Sequence, residues 1–357
     1  MKKIVLFAAM IALVFTGCSK DETVGSNNDS NAIGFNVLGS KDEVISRATG
    51  TLAANFNNFL VWANWNDGTA YTSYIDRQYV EKVSAAWSYS PIKYWPSTGT
   101  VDFYAYSPAA SINATFTNSL VTPAAAASAT IGYKVPANFK LQEDLLAAKV
   151  VGLDKDDVTA TLAFNHILSQ FVFNARGSKA GLTYVVEKIE FINILPEGTY
   201  NFFSSAWTAS GTATDFIALG ETVTASANTN PTAVNVAYSA TDWTSVTSDE
   251  ANTALFLIPG SWTNATGAIL RTAKPATGGY IAFKYSIKDG AGFELNTNCV
   301  VERTVYIPIL AADVPATNNI INTRYVYNIE LGDGLTPISF SASSVNIANS
   351  ASSPIVK

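Results

Sequence analysis

The chain has 357 residues, of which 48% are hydrophobic and 12% aromatic but only 14% charged, with a formal net charge of -6. That acidic balance argues against a nucleic-acid partner, which wants a basic stripe. Two cysteines and one histidine leave no disulfide framework, no multi-histidine metal centre and no triad with a spare histidine, so neither metal nor cofactor is expected.

At the start, Lys2 and Lys3 precede an apolar run over 4–15, followed by Thr16, Gly17 and Cys18. A basic start, a short apolar stretch and small residues predict a signal peptide over 1–17. The run is shorter than the ~20 residues that span a bilayer. Small residues ahead of a cysteine resemble the bacterial lipobox, which implies that Cys18 is acylated and becomes the mature N-terminus. Ser19, Lys20, Asp21 and Glu22 resemble the signal that sends some Gram-negative lipoproteins to the outer face of the outer membrane. Residues 25–30 are small and polar, the composition of a flexible tether.

Period-2 alternation dominates the rest. Over 32–37, Ile33, Phe35 and Val37 share one face. Residues 58–63 read as a buried strand closed by the turn Asn66-Asp67-Gly68, and 100–106 alternates until Ser107-Pro108. A loop is predicted over 123–129, then a short apolar piece at 144–148 before the acidic turn Asp154-Lys155-Asp156-Asp157. Strands follow at 158–164 and 171–173, and Arg176-Gly177-Ser178 is the candidate domain boundary. Further strands are predicted at 188–194, 255–258, 280–287, 300–309 and 325–331. Strands at this spacing predict an all-β chain built as two antiparallel β-sandwiches in tandem, Greek-key and transthyretin-like. The expected parts are an N-terminal segment with the first strand (18–47, a propeptide by the resemblance given below), sandwiches over 48–176 and 177–334, and a tail over 335–357. In that tail Leu335 precedes Ile338, Phe340 and Ala342, which alternate as a half-buried strand should, and Val345 and Ile347 continue after a change of register.

Several phrases together resemble one family. Trp87-Ser88-Tyr89-Ser90-Pro91-Ile92-Lys93-Tyr94-Trp95-Pro96, followed by Val101-Asp102-Phe103-Tyr104-Ala105-Tyr106, is similar to the N-terminal domain of fimbrillins, the lipoprotein pilin precursors (Mfa-like) of type V pili. Phe164-Asn165-His166-Ile167-Leu168-Ser169 fits the same family. Leu255-Phe256-Leu257-Ile258-Pro259 and Asn322-Thr323-Arg324-Tyr325-Val326-Tyr327 resemble its C-terminal domain. The resemblance implies a structural, non-enzymatic subunit of a fimbria: a surface lipoprotein trimmed by an Arg-specific protease and polymerised head to tail with other subunits by donor-strand exchange. Ile45-Ser46-Arg47-Ala48 then resembles the maturation site, with cleavage between Arg47 and Ala48. Ile33, Phe35 and Val37 would lie on the strand removed, and the tail (Leu335, Ile338, Phe340, Ala342, Val345, Ile347) would be the donor. Segment 1–47 holds five Lys or Arg and five Asp or Glu, so the trimmed body keeps a charge of -6.

Other readings stand beside this one. An anchor or tip lipoprotein of the same system would keep its acylated N-terminus or a free binding face for a host or bacterial surface ligand. Trp62, Trp65, Trp87 and Trp95 suggest a glycan-stacking platform, although core packing is the commoner role for aromatics in strands. His166 reads as a satisfied core histidine, Asp154, Asp156 and Asp157 as a solvated turn without EF-hand spacing, and Cys299 as a buried strand thiol. No acid/base pair supports a glycosidase.

Overall fold

The computed structural model describes residues 31–39, 56–84, 86–119, 128–137, 139–220, 233–247, 254–263, 265, 269–270, 273–295, 303–309, 321–333 and 338–346. The first strands are β1 (Gly34–Gly39), β2 (Asn58–Asn66), β3 (Tyr71–Val83), β4 (Ala86–Ser88), β5 (Thr100–Ser107), β6 (Ala114–Ser119) and β7 (Ser128–Lys134). After a 3-10 turn at Phe139–Leu141 come β8 (Leu146–Leu153), β9 (Thr159–His166), β10 (Ser169–Gly177) and β11 (Thr183–Ile194). The chain continues through β12 (Glu197–Asn201), β13 (Ala206–Ser210), β14 (Thr214–Leu219), β15 (Val234–Val236) and β16 (Thr244–Thr247). It ends with β17 (Leu255–Leu257), β18 (Tyr280–Lys288), β19 (Thr304–Pro308), β20 (Thr323–Leu331) and β21 (Ser339–Asn346).

These strands form four sheets, as the all-β expectation requires. The first has the order β1-β9-β8-β5-β2-β3-β4 and the second β13-β12-β7-β6. The third runs β16-β10-β20-β21 with β17 also on β10, and the fourth β14-β11-β18-β19 with β15 on β11. Most neighbours are antiparallel; β1 on β9 and β10 on β20 are parallel.

Burial on both faces explains why β2 reads as a continuous apolar run, and β5, expected to alternate, is buried on both faces as well. Phe59, Val61, Ala63, Val101, Phe103 and Ala105 face a core enclosed by the first sheet. The intervening Leu60, Trp62, Tyr104 and Tyr106 face the second sheet, where Trp62 stacks on Phe116 at 4.1 Å between ring centroids. The third and fourth sheets form a sandwich in which Phe171 of β10 meets Phe191 of β11 at 4.9 Å and stacks on Tyr325 of β20 at 5.0 Å.

Sheet membership changes between His166 and Ser169, ahead of the expected boundary at Arg176-Gly177-Ser178. Strand β10 ends at that boundary but pairs with β16, β17 and β20, all downstream. Conversely, β12 of the downstream half joins β7 of the upstream half. The sequence motif Arg-Gly-Ser marks the end of a strand; the change of sheet occurs at the two-residue link Ile167-Leu168, whose apolar, buried side chains carry no turn signal.

Gly220, after β14, has φ of +90° and a Cβ there would stand 1.9 Å from the carbonyl oxygen of Glu187. Backbone overlap and a left-handed conformation both oppose a side chain. Gly220→Ala is expected to destabilise the fold by about 2–4 kcal/mol in chemical denaturation, whereas Gly290→Ala, with open space around it, should be near neutral.

Candidate functional site

The most distinctive site is the seat of β1. This strand is the edge of the first sheet, and its ladder to β9 runs from Gly34 opposite Thr159 to Gly39 opposite Phe164. Alternation sends Ile33 and Phe35 inward, 2% and 1% exposed, and packs Val37 half-buried against the same core; Asn36 and Leu38 face outward. The Phe35 ring lies 5.2–5.9 Å from those of Tyr89, Phe59 and Phe103, tilted towards edge-to-face. Phe164 closes the far side with Phe56 and Phe59.

The loop after β4 completes the seat. Ile33 N donates to Lys93 O at 2.8 Å and Trp95 N to Asn31 O at 2.9 Å. Tyr89 Oη donates to Ile33 O at 2.8 Å, and the Trp95 indole donates to Val158 O at 3.2 Å, joining the loop to the start of β9. Burial pushes the Tyr89 phenol above its ordinary pKa, which keeps it a proton donor. The strand is therefore a plug: its inward side chains fill a cleft lined by Phe59, Tyr89, Trp95, Phe103 and Phe164.

At the other end of the chain, β21 lies antiparallel on β20, from Thr323 opposite Asn346 to Glu330 opposite Ser339. Ile338 is buried at 3% exposure, and Phe340 and Ala342 are partly buried against the main core, while Ser339, Ser341 and Ser343 are exposed. The segment read from sequence as a tail thus holds a strand on its own third sheet, paired with β20 and at the edge of the strand order.

Of the residues singled out from sequence, Cys18, Arg47, Ala48, Cys299, Leu335 and Ile347 lie outside the described residues, and Val345 is placed by its backbone, opposite Arg324. Ile33, Phe35 and Val37 come together in one seat, and Ile338, Phe340 and Ala342 in another. His166 is fully buried with Nδ1 2.9 and 2.7 Å from the Asp144 carboxylate oxygens. Asp154 and Asp157 cap the backbone of their own turn, at 2.8 Å for Asp156 N to Asp154 and for Asp154 N to Asp157. Trp62 and Trp95 are core residues, and Trp65 and Trp87 are partly buried against the first core. Sequence reading missed Tyr89 and Phe59 as lining residues.

A family model described as Fimbrillin-like matches residues 46–348. No curated protein matches the chain. Among solved structures, the fold is similar to a fimbrial protein from Bacteroides vulgatus, with 16% identity, a TM-score of 0.63 and coverage of 89% of this chain and 99% of that one. A candidate cell adhesion protein from Bacteroides uniformis is 13% identical at a TM-score of 0.49, over 88% and 99% of the two chains. The fimbrial anchor protein Mfa2 from Porphyromonas gingivalis is 11% identical at a TM-score of 0.32, over 88% and 98%.

Proposed function

The chain belongs to the fimbrillin-like family, and on that premise we propose that it is a structural pilin subunit supporting cell adhesion. In this reading it is exported as an outer-membrane lipoprotein through Cys18, trimmed after Arg47 and polymerised by donating its C-terminal strand to a sister subunit. The observation that carries the reading is the plug. Strand β1 is an edge strand with one parallel neighbour, yet its inward residues lie at the centre of a closed aromatic core. In the sequence Arg47 lies between Gly39, the end of β1, and Asn58, the start of β2, so one cut there separates the first strand from all later ones.

Three inward side chains at about 1.5–3 kcal/mol each give roughly 5–9 kcal/mol of gross burial. Free association costs on the order of 4–15 kcal/mol. A tethered plug, at an effective concentration of ~1 mM, holds its seat, whereas a severed one is easily lost. Loss of β1 leaves a greasy cleft and an unpaired β9 edge, a template for another strand. Residues 335–357, fully extended, reach about 75 Å, enough to leave one sandwich for the next. Donation requires β21 to leave β20 first, so the same apolar face is covered in the monomer and in the polymer. A head-to-tail contact of this kind does not close and builds a filament.

Arg47→Ala is the direct test of trimming. The variant is expected to accumulate as an unpolymerised precursor carrying an acylated N-terminus, read by mass spectrometry and electron microscopy of the cell surface. Normal filaments from that variant would contradict the maturation step. An anchor role predicts instead that the wild-type protein itself retains the acylated Cys18 start.

A further inference from the structure

We propose that the donated strand enters the vacated seat parallel to β9 in one register: Ile338 of one copy replaces Ile33 of the next, Phe340 replaces Phe35 and Ala342 replaces Val37. This rests on the donor-strand reading above and specifies its geometry. The two segments carry the same apolar spacing, Ile33-Gly34-Phe35-Asn36-Val37 against Ile338-Ser339-Phe340-Ser341-Ala342. Both already bury that face and expose the other: Asn36 is outward in β1, as Ser339 and Ser341 are in β21.

The substitutions are compatible position by position. A Cβ at Gly34 meets Thr159 Oγ1 at 3.4 Å and Cγ2 at 3.8 Å, ordinary contact distances, so Ser339 fits there. Pro337 would take the place of Ala32. The bonds described at that end use Asn31 O and Ile33 N, not the amide of Ala32, so a residue lacking an N–H is tolerated. Phe340 enters the position where Phe35 meets three aromatic rings, those of Phe59, Tyr89 and Phe103. Moving the tail to use Val345 and Ile347 in the first two pockets would bring Asn349 into the third, an unpaired polar group in an apolar pocket. The reversed direction keeps Phe340 central but puts Ala342 where Ile33 fits and Ile338 into the shallower Val37 position. The existing parallel ladder of β1 on β9 favours the first direction.

Paired cysteines on cells that display the filaments distinguish these geometries. Leu38 stands opposite Ala163, and both face outward. In the proposed register Ser343 takes the place of Leu38, so Ser343→Cys with Ala163→Cys should yield a disulfide-linked ladder of subunits on a non-reducing gel, with none from either single variant. In the reversed direction Ser339 would instead face Thr161, and a ladder from Ser339→Cys with Thr161→Cys would overturn the proposed direction. Filaments without a ladder from either pair would overturn the register while leaving strand donation intact. Filaments that persist after deletion of 335–357 would remove the donor-strand reading itself.

Discussion

Phe35→Ala in the full-length precursor is expected to lower its unfolding free energy by about 3–5 kcal/mol, the usual loss on truncating a buried phenylalanine. The ring is 1% exposed and touches three other aromatic rings, so its removal leaves a void that the surrounding sheet cannot fill by a small shift. Denaturant titration of precursor and variant measures the difference. The same substitution should leave the heat and detergent resistance of assembled filaments unchanged if, as proposed, trimming removes the strand bearing it. A loss below about 1 kcal/mol in the precursor, or weakened filaments, would mean that β1 is not a precursor-only plug.

Phe340→Asp is the second large effect. In the monomer Phe340 is only partly buried at a sheet edge, so a folded subunit should still be secreted. In a neighbour's cleft the carboxylate would sit among aromatic rings without a cation, at a penalty of several kcal/mol. Even 3 kcal/mol weakens each junction about 100-fold, and a polymer needs every junction. Filaments should vanish while circular dichroism of the monomer stays close to wild type. Ser341→Asp, on the exposed face of the same strand, is the control and should assemble. Equal assembly of both variants would place the junction elsewhere.

Much of the architecture was legible because strands with one buried face betray themselves by alternation. The inward set Ile33, Phe35 and Val37 is such a case, and so is Ile338, Phe340 and Ala342. Strand β3 was not legible. Its buried residues Ile75 and Val80 are five apart, an odd spacing that period 2 forbids, and the structure reconciles them with an irregularity between Val61 opposite Gln78 and Ala63 opposite Ile75. The strands β13 to β16 are only three to six residues long, too short for a period-2 pattern to stand out from loops. Alternation also says which face of a strand is buried, never which sheet receives it. Hence β21 read as a tail although it pairs with β20, and β10 read as the close of the first half although it belongs with the second.

The lining of the cleft was hidden for a related reason. Tyr89 and Trp95 were visible in a family phrase, but their work is done on partners far along the chain: Tyr89 on Ile33, and Trp95 on Asn31 and Val158. Local spacing carries no record of such contacts.

Mass spectrometry of the subunit N-terminus in filaments sheared from cells bears most directly on the exchange of strands. Subunits that begin at Ala48, with no peptide containing Ile33, Phe35 and Val37, are the expected result. Filament subunits that retain those residues would show the seat still filled by the chain's own first strand, and polymerisation through that cleft would be ruled out.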